Sequence, residues 1–191
     1  SVKKDSMVKK NSCIFISGSG TNLNALIKSS RRYNFPINIK LVISNKKNAK
    51  GLKLAKKYSI PIKIINTKNA LFEKELINEM NKKKISLICL AGYMKILSKN
   101  FINNYKGKII NIHPSLLPNY KGTDTFSRIL KAGEKKTGCT IHFVNEKLDS
   151  GKIILQKSFQ IAKDENVKTL KKKTQKMEYK AFSEAITKLY M

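Results

Sequence analysis

Ile85-Ser86-Leu87-Ile88-Cys89-Leu90-Ala91 is a nearly continuous apolar run that lacks the two-residue alternation of a strand wetted on one face. Such a run suits a central strand of a parallel sheet, covered by helices on both faces. Its surroundings agree. Residues 13–17, 37–43, 61–65 and 109–113 carry short strand-like runs rich in apolar and β-branched residues. Between them fall helix-spaced apolar residues: Leu23, Leu26 and Ile27, then a Lys-rich stretch over 49–58, then Leu71, Leu76, Ile77 and Met80. Strands alternating with helices in this way predict an α/β fold with a doubly wound, mostly parallel sheet. Downstream, residues 126–132 read as a helix, 138–144 as a strand and Leu148-Asp149-Ser150-Gly151 as a turn. Residues 153–161 read as a C-terminal strand returning antiparallel, and 166–189 as a long, basic, amphipathic helix.

The run at Ile109-Ile110-Asn111-Ile112-His113 delivers two polar side chains and then stops at Pro114. Asn111 and His113 are two apart, so on a strand they point to the same face. Pro114 keeps His113 out of the α region, which puts the imidazole at a strand exit, where open α/β sheets bind their ligands. A single His at a strand end is most often a satisfied structural group. Here an amide shares its face and a Pro-bracketed loop, Pro114-Ser115-Leu116-Leu117-Pro118, stands behind it. That company favours chemistry.

Gly18-Ser19-Gly20-Thr21-Asn22 follows the first strand directly and precedes the first helix. Free backbone N–H groups and the helix dipole at such a turn receive an anion, most often phosphate. The plainer alternative is a tight connection capped by Thr21 or Asn22. The pattern lacks the third glycine and acidic partner of a dinucleotide fingerprint.

The 191 residues fit one domain, expected over 12–191 behind a basic N-terminal extension at 1–11. Forty Lys and Arg against twelve Asp and Glu give a net charge of +28, a balance that raises nucleic acid as a partner. The basic residues are nearly all Lys and spread along the chain, which reads as a diffuse field on a solvated surface; nucleic acid is not the expected partner. Cys13, Cys89 and Cys139 lie in or beside strand-like runs, with no second Cys or His at metal-ligand spacing. Reduced buried thiols and a cytoplasmic location are expected, with no metal. No apolar run approaches a membrane span, and no hydrophobic signal region opens the chain.

Taken together, ISGSGTNLNAL, LAGYMKIL, IINIHPSLLPNYKG, TGCTIHFV and LDSGKIILQ, in this order, resemble the phosphoribosylglycinamide formyltransferase family. This is the group of folate-dependent glycinamide ribonucleotide transformylases of purine synthesis, and the resemblance covers nearly the whole chain. It implies transfer of a formyl group from 10-formyltetrahydrofolate to the amino group of glycinamide ribonucleotide, with Asn111, His113 and Asp149 as the catalytic constellation. It further implies that Gly20, Thr21 and Asn22 hold the ribonucleotide phosphate and that Glu178 is an acidic substrate contact. Met94, Lys95, Ile96, Leu97 and Asn111 would meet the folate, the stretch from Met94 to Leu97 lining its pocket with backbone groups at the pterin edge. Three departures stand out: Lys95 where Arg is common, Tyr179 where His is usual after the acidic contact, and Asp124 where the family commonly has His. Asp124 is expected to bring negative charge near the reaction centre.

The implied chemistry passes through a tetrahedral intermediate whose carbonyl oxygen becomes an oxyanion. Asn111 can donate an amide N–H to it, and a protonated His113 can donate a second, charge-assisted bond. An ionised Asp149 near His113 would favour the imidazolium and relay a proton through water. A methionyl-tRNA formyltransferase-like enzyme, a formyltetrahydrofolate hydrolase-like enzyme and a basic nucleic-acid-binding protein that keeps the fold are the alternatives. These residues show neither the extra RNA-binding domain of the first nor the N-terminal regulatory domain of the second, so the purine branch is expected.

Overall fold

The computed structural model describes residues 8–191, and a seven-stranded sheet in the order β3-β2-β1-β4-β5-β6-β7 forms its middle. The strands are β1 (Lys10–Ile16), β2 (Ile37–Ser44), β3 (Ile62–Ile64), β4 (Leu87–Leu90), β5 (Lys108–His113), β6 (Lys136–Phe143) and β7 (Ile153–Gln160). The helices are α1 (Thr21–Ser30), α2 (Lys50–Lys57), α3 (Phe72–Lys82), α4 (Lys99–Asn104), α5 (Thr125–Lys131) and α6 (Val167–Tyr190). β1 pairs in parallel with β2 on one side and β4 on the other, so the winding direction reverses there. β3 and β5 continue the parallel array.

Both faces of the central strands are covered, as the apolar run at 85–91 requires. Ile14, Ile16, Leu87, Cys89, Ile110 and Ile112 pack with α1, α2 and α6 through Leu26, Ile27, Leu52, Ala55, Phe182 and Ile186. Cys13, Phe15, Ile88, Leu90 and Ile109 pack with α3 and α4 through Leu76, Met80 and Phe101 on the other side. Alternation within each strand feeds the two layers. The three cysteines are free and buried, and burial pushes the Cys139 thiol up to about 12. No helix among the described residues is long and apolar enough to cross a membrane.

Three expectations need correction. The expected extension at 1–11 ends too late, because Lys10 and Asn11 open β1; residues 1–7 lie outside the described residues. The antiparallel pairing enters one strand earlier than expected: β6 pairs antiparallel with β5 and again with β7, so β6 runs against the other strands and β7 resumes their direction. Finally, α4 went unread because it has six residues and one buried side chain, Phe101, which leaves no helical period to detect.

Candidate active site

The carboxyl ends of the parallel strands β1, β4 and β5 open onto one edge of the sheet, and their loops are tied together there. Ser17, just past β1, donates its hydroxyl to Asn45 Oδ1 at 2.6 Å and accepts the Met94 N–H at 2.8 Å. Its own N–H reaches the Gly92 carbonyl at 3.0 Å. The turn after β4 is thereby fixed to the turn after β1. Met94, Lys95 and Ile96 are exposed along this turn, two of them large apolar side chains in water. The Leu97 side chain is buried in the α3 and α4 layer, which leaves its backbone to the turn.

Gly20 stands at the N-cap of α1 with φ +72°, a left-handed conformation in which glycine carries no steric penalty. A Cβ there would also lie 2.7 Å from the Gly51 Cα of α2. No side chain caps the helix, contrary to the alternative in which Thr21 or Asn22 does so. First-turn amides without a side-chain partner and a positive helix end are the ingredients of an anion site. Within that first turn, Asn22 is buried and its Nδ2–H donates to Glu178 Oε1 of α6 at 3.2 Å. Burial holds the Glu178 carboxyl up at about 7, against the opposing pull of the Asn22 amide and the Lys171 charge. Asn22 Oδ1 is buried without a partner. The loop and α6 thus meet at a polar contact whose hydrogen bonding is incomplete, which suits a surface awaiting a polar ligand.

On β5, the face that packs as Ile109 against α3 and α4 continues as Asn111 and His113. The two side chains do share a face, and the antiparallel register adds two more polar groups to it: Asn111 lies opposite His142 and His113 opposite Thr140. His113 is held at both ring nitrogens. Nε2 is 2.8 Å from the Tyr120 carbonyl, which can only accept, so Nε2 carries a hydrogen. Nδ1 is 3.5 Å from Asp149 Oδ2.

Asp149 arrives from the hairpin loop at 144–152, which leaves β6 at Val144, bonded to Ile109 near the start of β5, and folds back along the sheet face. Asp149 itself adopts φ +48°, accepts the Gly122 N–H at 2.8 Å and is 8% exposed. Lys121 Nζ donates to Ser150 Oγ beside it. Thr140 pins the stretch after His113, donating to the Ser115 carbonyl at 2.7 Å and accepting the Leu117 N–H at 3.1 Å. Asp124 is exposed at the left-handed N-cap of α5, its side chain hydrogen-bonded to no described residue of the cluster.

His142 was missed by sequence reasoning. Its signal was the alternation Thr140, His142 along β6, which acquires meaning only once the antiparallel register with β5 is known. His142 Nδ1 is 2.9 Å from the Phe143 carbonyl and Nε2 is 3.3 Å from Asn111 Nδ2. Cavities of about 310 and 500 Å³, both lined by Lys40, Tyr58 and Ile60, lie at the opposite, strand-entry edge. They hold no carboxylate or imidazole, so the convergence of side chains, and not enclosed volume, marks the site.

A family model described as formyl transferase matches residues 10–186. The chain belongs to the formyl transferase family. The trifunctional purine biosynthetic protein adenosine-3 of Gallus gallus is 41% identical over 177 residues, which cover 91% of this formyl transferase chain. Those residues span 18% of that relative's length. The phosphoribosylglycinamide formyltransferase of Haemophilus influenzae is 40% identical over 177 residues, covering 91% of this chain and 84% of its own. Among solved structures, the phosphoribosylglycinamide formyltransferase of Brucella melitensis superposes with a TM-score of 0.91 at 37% identity over 96% of each chain. The formyl transferase fold expected from the motifs, with its long C-terminal helix, is therefore the fold observed.

Proposed function

We propose that this formyl transferase is a phosphoribosylglycinamide formyltransferase: it moves the formyl group of 10-formyltetrahydrofolate to the amino group of glycinamide ribonucleotide. The observation that carries the reading is the meeting of Asn111, His113 and Asp149 on one face, beside a glycine turn suited to phosphate and a turn with exposed apolar side chains suited to a pterin. Gly20, Thr21 and Asn22 would hold the phosphate and Glu178 another polar part of the nucleotide. Met94, Lys95 and Ile96 would meet the folate, with Leu97 contributing backbone alone.

Attack of the amine on the formyl carbon forms a C–N bond and turns the carbonyl oxygen into an oxyanion. Asn111 has one amide hydrogen engaged by His142 and a second left for that oxygen. With Nε2–H of His113 held by Tyr120, Nδ1 is the nitrogen that takes the second proton and presents it. Asp149 Oδ2, 3.5 Å from that nitrogen, is near enough to steer the ring without a tight hydrogen bond, which leaves the Nδ1–H free for the oxyanion. Breaking the bond to the donor nitrogen requires that nitrogen to gain a proton as the attacking amine loses one. Asp149 and a water between the two nitrogens would serve that exchange.

Mixing the purified protein with 10-formyltetrahydrofolate and following deformylation with and without glycinamide ribonucleotide tests the reading. Deformylation only with the nucleotide is expected. Equal rates without it would replace the transferase with a hydrolase. Tight RNA binding with a steep salt slope in a filter assay would favour a nucleic-acid role instead.

A further inference from the structure

His142 belongs to none of the three catalytic roles above, yet it is buried at the centre of the cluster with both ring nitrogens engaged. The Phe143 carbonyl can only accept, so the hydrogen of a neutral His142 sits on Nδ1, and Nε2 faces Asn111 with a lone pair. An Asn side chain offers an oxygen and an NH₂ of nearly equal shape, and nothing else among the described residues bonds the Asn111 carboxamide. The lone pair of His142 therefore decides which end points where: oxygen against lone pair is repulsive, NH₂ against lone pair is bonded.

We propose that His142 is a positioning residue which, in its neutral Nδ1–H form, orients the Asn111 carboxamide with its NH₂ toward the reacting oxygen, and that protonating His142 reverses this and switches transfer off. An imidazolium would turn a second N–H on Asn111 Nδ2. The carboxamide must then rotate to present Oδ1 to His142, which removes its donor from the oxyanion. The charged and titratable groups facing His142 are Asp149, with Oδ1 at 4.0 Å, and His113 on the adjoining strand; its partner across on β7 is the apolar Ile153. Burial holds the imidazole toward its neutral form and the His113 charge adds to this, against the opposing pulls of the Phe143 carbonyl and Asp149. The inference rests on the reading of Asn111 as oxyanion donor.

The chain has two histidines, so an untagged protein labelled with ¹⁵N-histidine gives two imidazoles, assigned with H142Q. At pH 7.5 His142 is expected to show a protonated Nδ1 and a bare Nε2; an Nε2–H tautomer or an imidazolium would overturn the proposal without any turnover being measured. Kinetics provide the second arm. Gln can place a non-titrating acceptor oxygen near the Nε2 position, so H142Q should keep kcat within about threefold and lose the acid-side decline of the wild type. H142L, checked for fold by circular dichroism, should lower kcat by about 30-fold or more with the nucleotide KM changed less than about threefold. An H142L variant with wild-type kcat, or an H142Q variant with the acid-side decline unmoved, would refute the role. A wild type that holds the expected tautomer but performs no transfer would instead refute the assignment of function.

Discussion

Asn111 and Glu178 show how differently single residues can matter in the site proposed for the two substrates. Asn111 contributes little to packing, being half-buried on the face of β5 that it shares with His113. Asn111→Ala is therefore expected to leave the melting temperature nearly unchanged while lowering kcat by about 10²- to 10³-fold, the usual loss of one oxyanion donor. Steady-state rates on a variant with native circular dichroism check this. Glu178 works against the fold. Its folded carboxyl is raised to about 7 by burial, above its unfolded range, so the folded chain holds the proton more tightly. The associated stability is present below about pH 4 and is lost as pH rises through about 7. Glu178→Gln should flatten that slope and raise stability at pH 8 by up to roughly 3 kcal/mol, while weakening nucleotide binding. Urea melts at pH 5 and pH 8 provide the comparison, and a variant less stable than the parent at pH 8 would contradict it. The shared face of Asn111 and His113 was legible at this scale because strand periodicity sets it, whereas the place of Asp149 beside them rested on motif resemblance. His142 was not legible, because a residue's cross-strand partner is a property of register and not of its own sequence neighbourhood.

Among the elements, the ones with a strong local signal were read closely and the short or directional ones were not. α6 starts where its capping box lies, with Asn166 accepting the Thr169 N–H and Thr169 answering through its hydroxyl. β4 declared itself by being apolar throughout. In contrast, nothing in residues 138–144 states a direction, and the antiparallel entry of β6 follows from a helix, α5, that returns the chain without completing a parallel crossover. The burial of the Leu97 side chain was illegible for a related reason: an apolar residue in a ligand-suited turn looks the same whether its side chain faces outward or the core. The glycine turn offers a test of how one element depends on another. Gly20→Ala forces a side chain into a left-handed backbone conformation and against the Gly51 Cα at 2.7 Å. A loss of about 2 kcal/mol, or about 5 °C in melting temperature, is expected, together with a raised KM for the nucleotide. Differential scanning calorimetry with nucleotide titration measures both, and an unperturbed KM would detach the turn from substrate binding.

At the scale of the whole molecule, the +28 charge is a field and not a site. The Lys171-Lys172-Lys173 run on α6 is exposed, as a solvated face should be. An anionic nucleotide approaching such a surface should be drawn in by long-range attraction, so kcat/KM for the nucleotide is expected to fall by about three- to tenfold between 25 and 300 mM salt. Initial rates across that series decide it; a flat response would mean that the lysines only maintain solubility. The molecule also separates two tasks in space. Parallel strands and their helices carry the mass of the core, whereas Asp149 rides at the tip of a hairpin, secured through Gly122, Ser150 and the exposed Glu146 contacts with Lys99 and Asn103. Withdrawing that tip would unpair no strand. The seating of Asp149 and the topology of the sheet therefore rest on different contacts, and substitutions at Lys99, Asn103 or Lys121 should disturb the first while sparing the second.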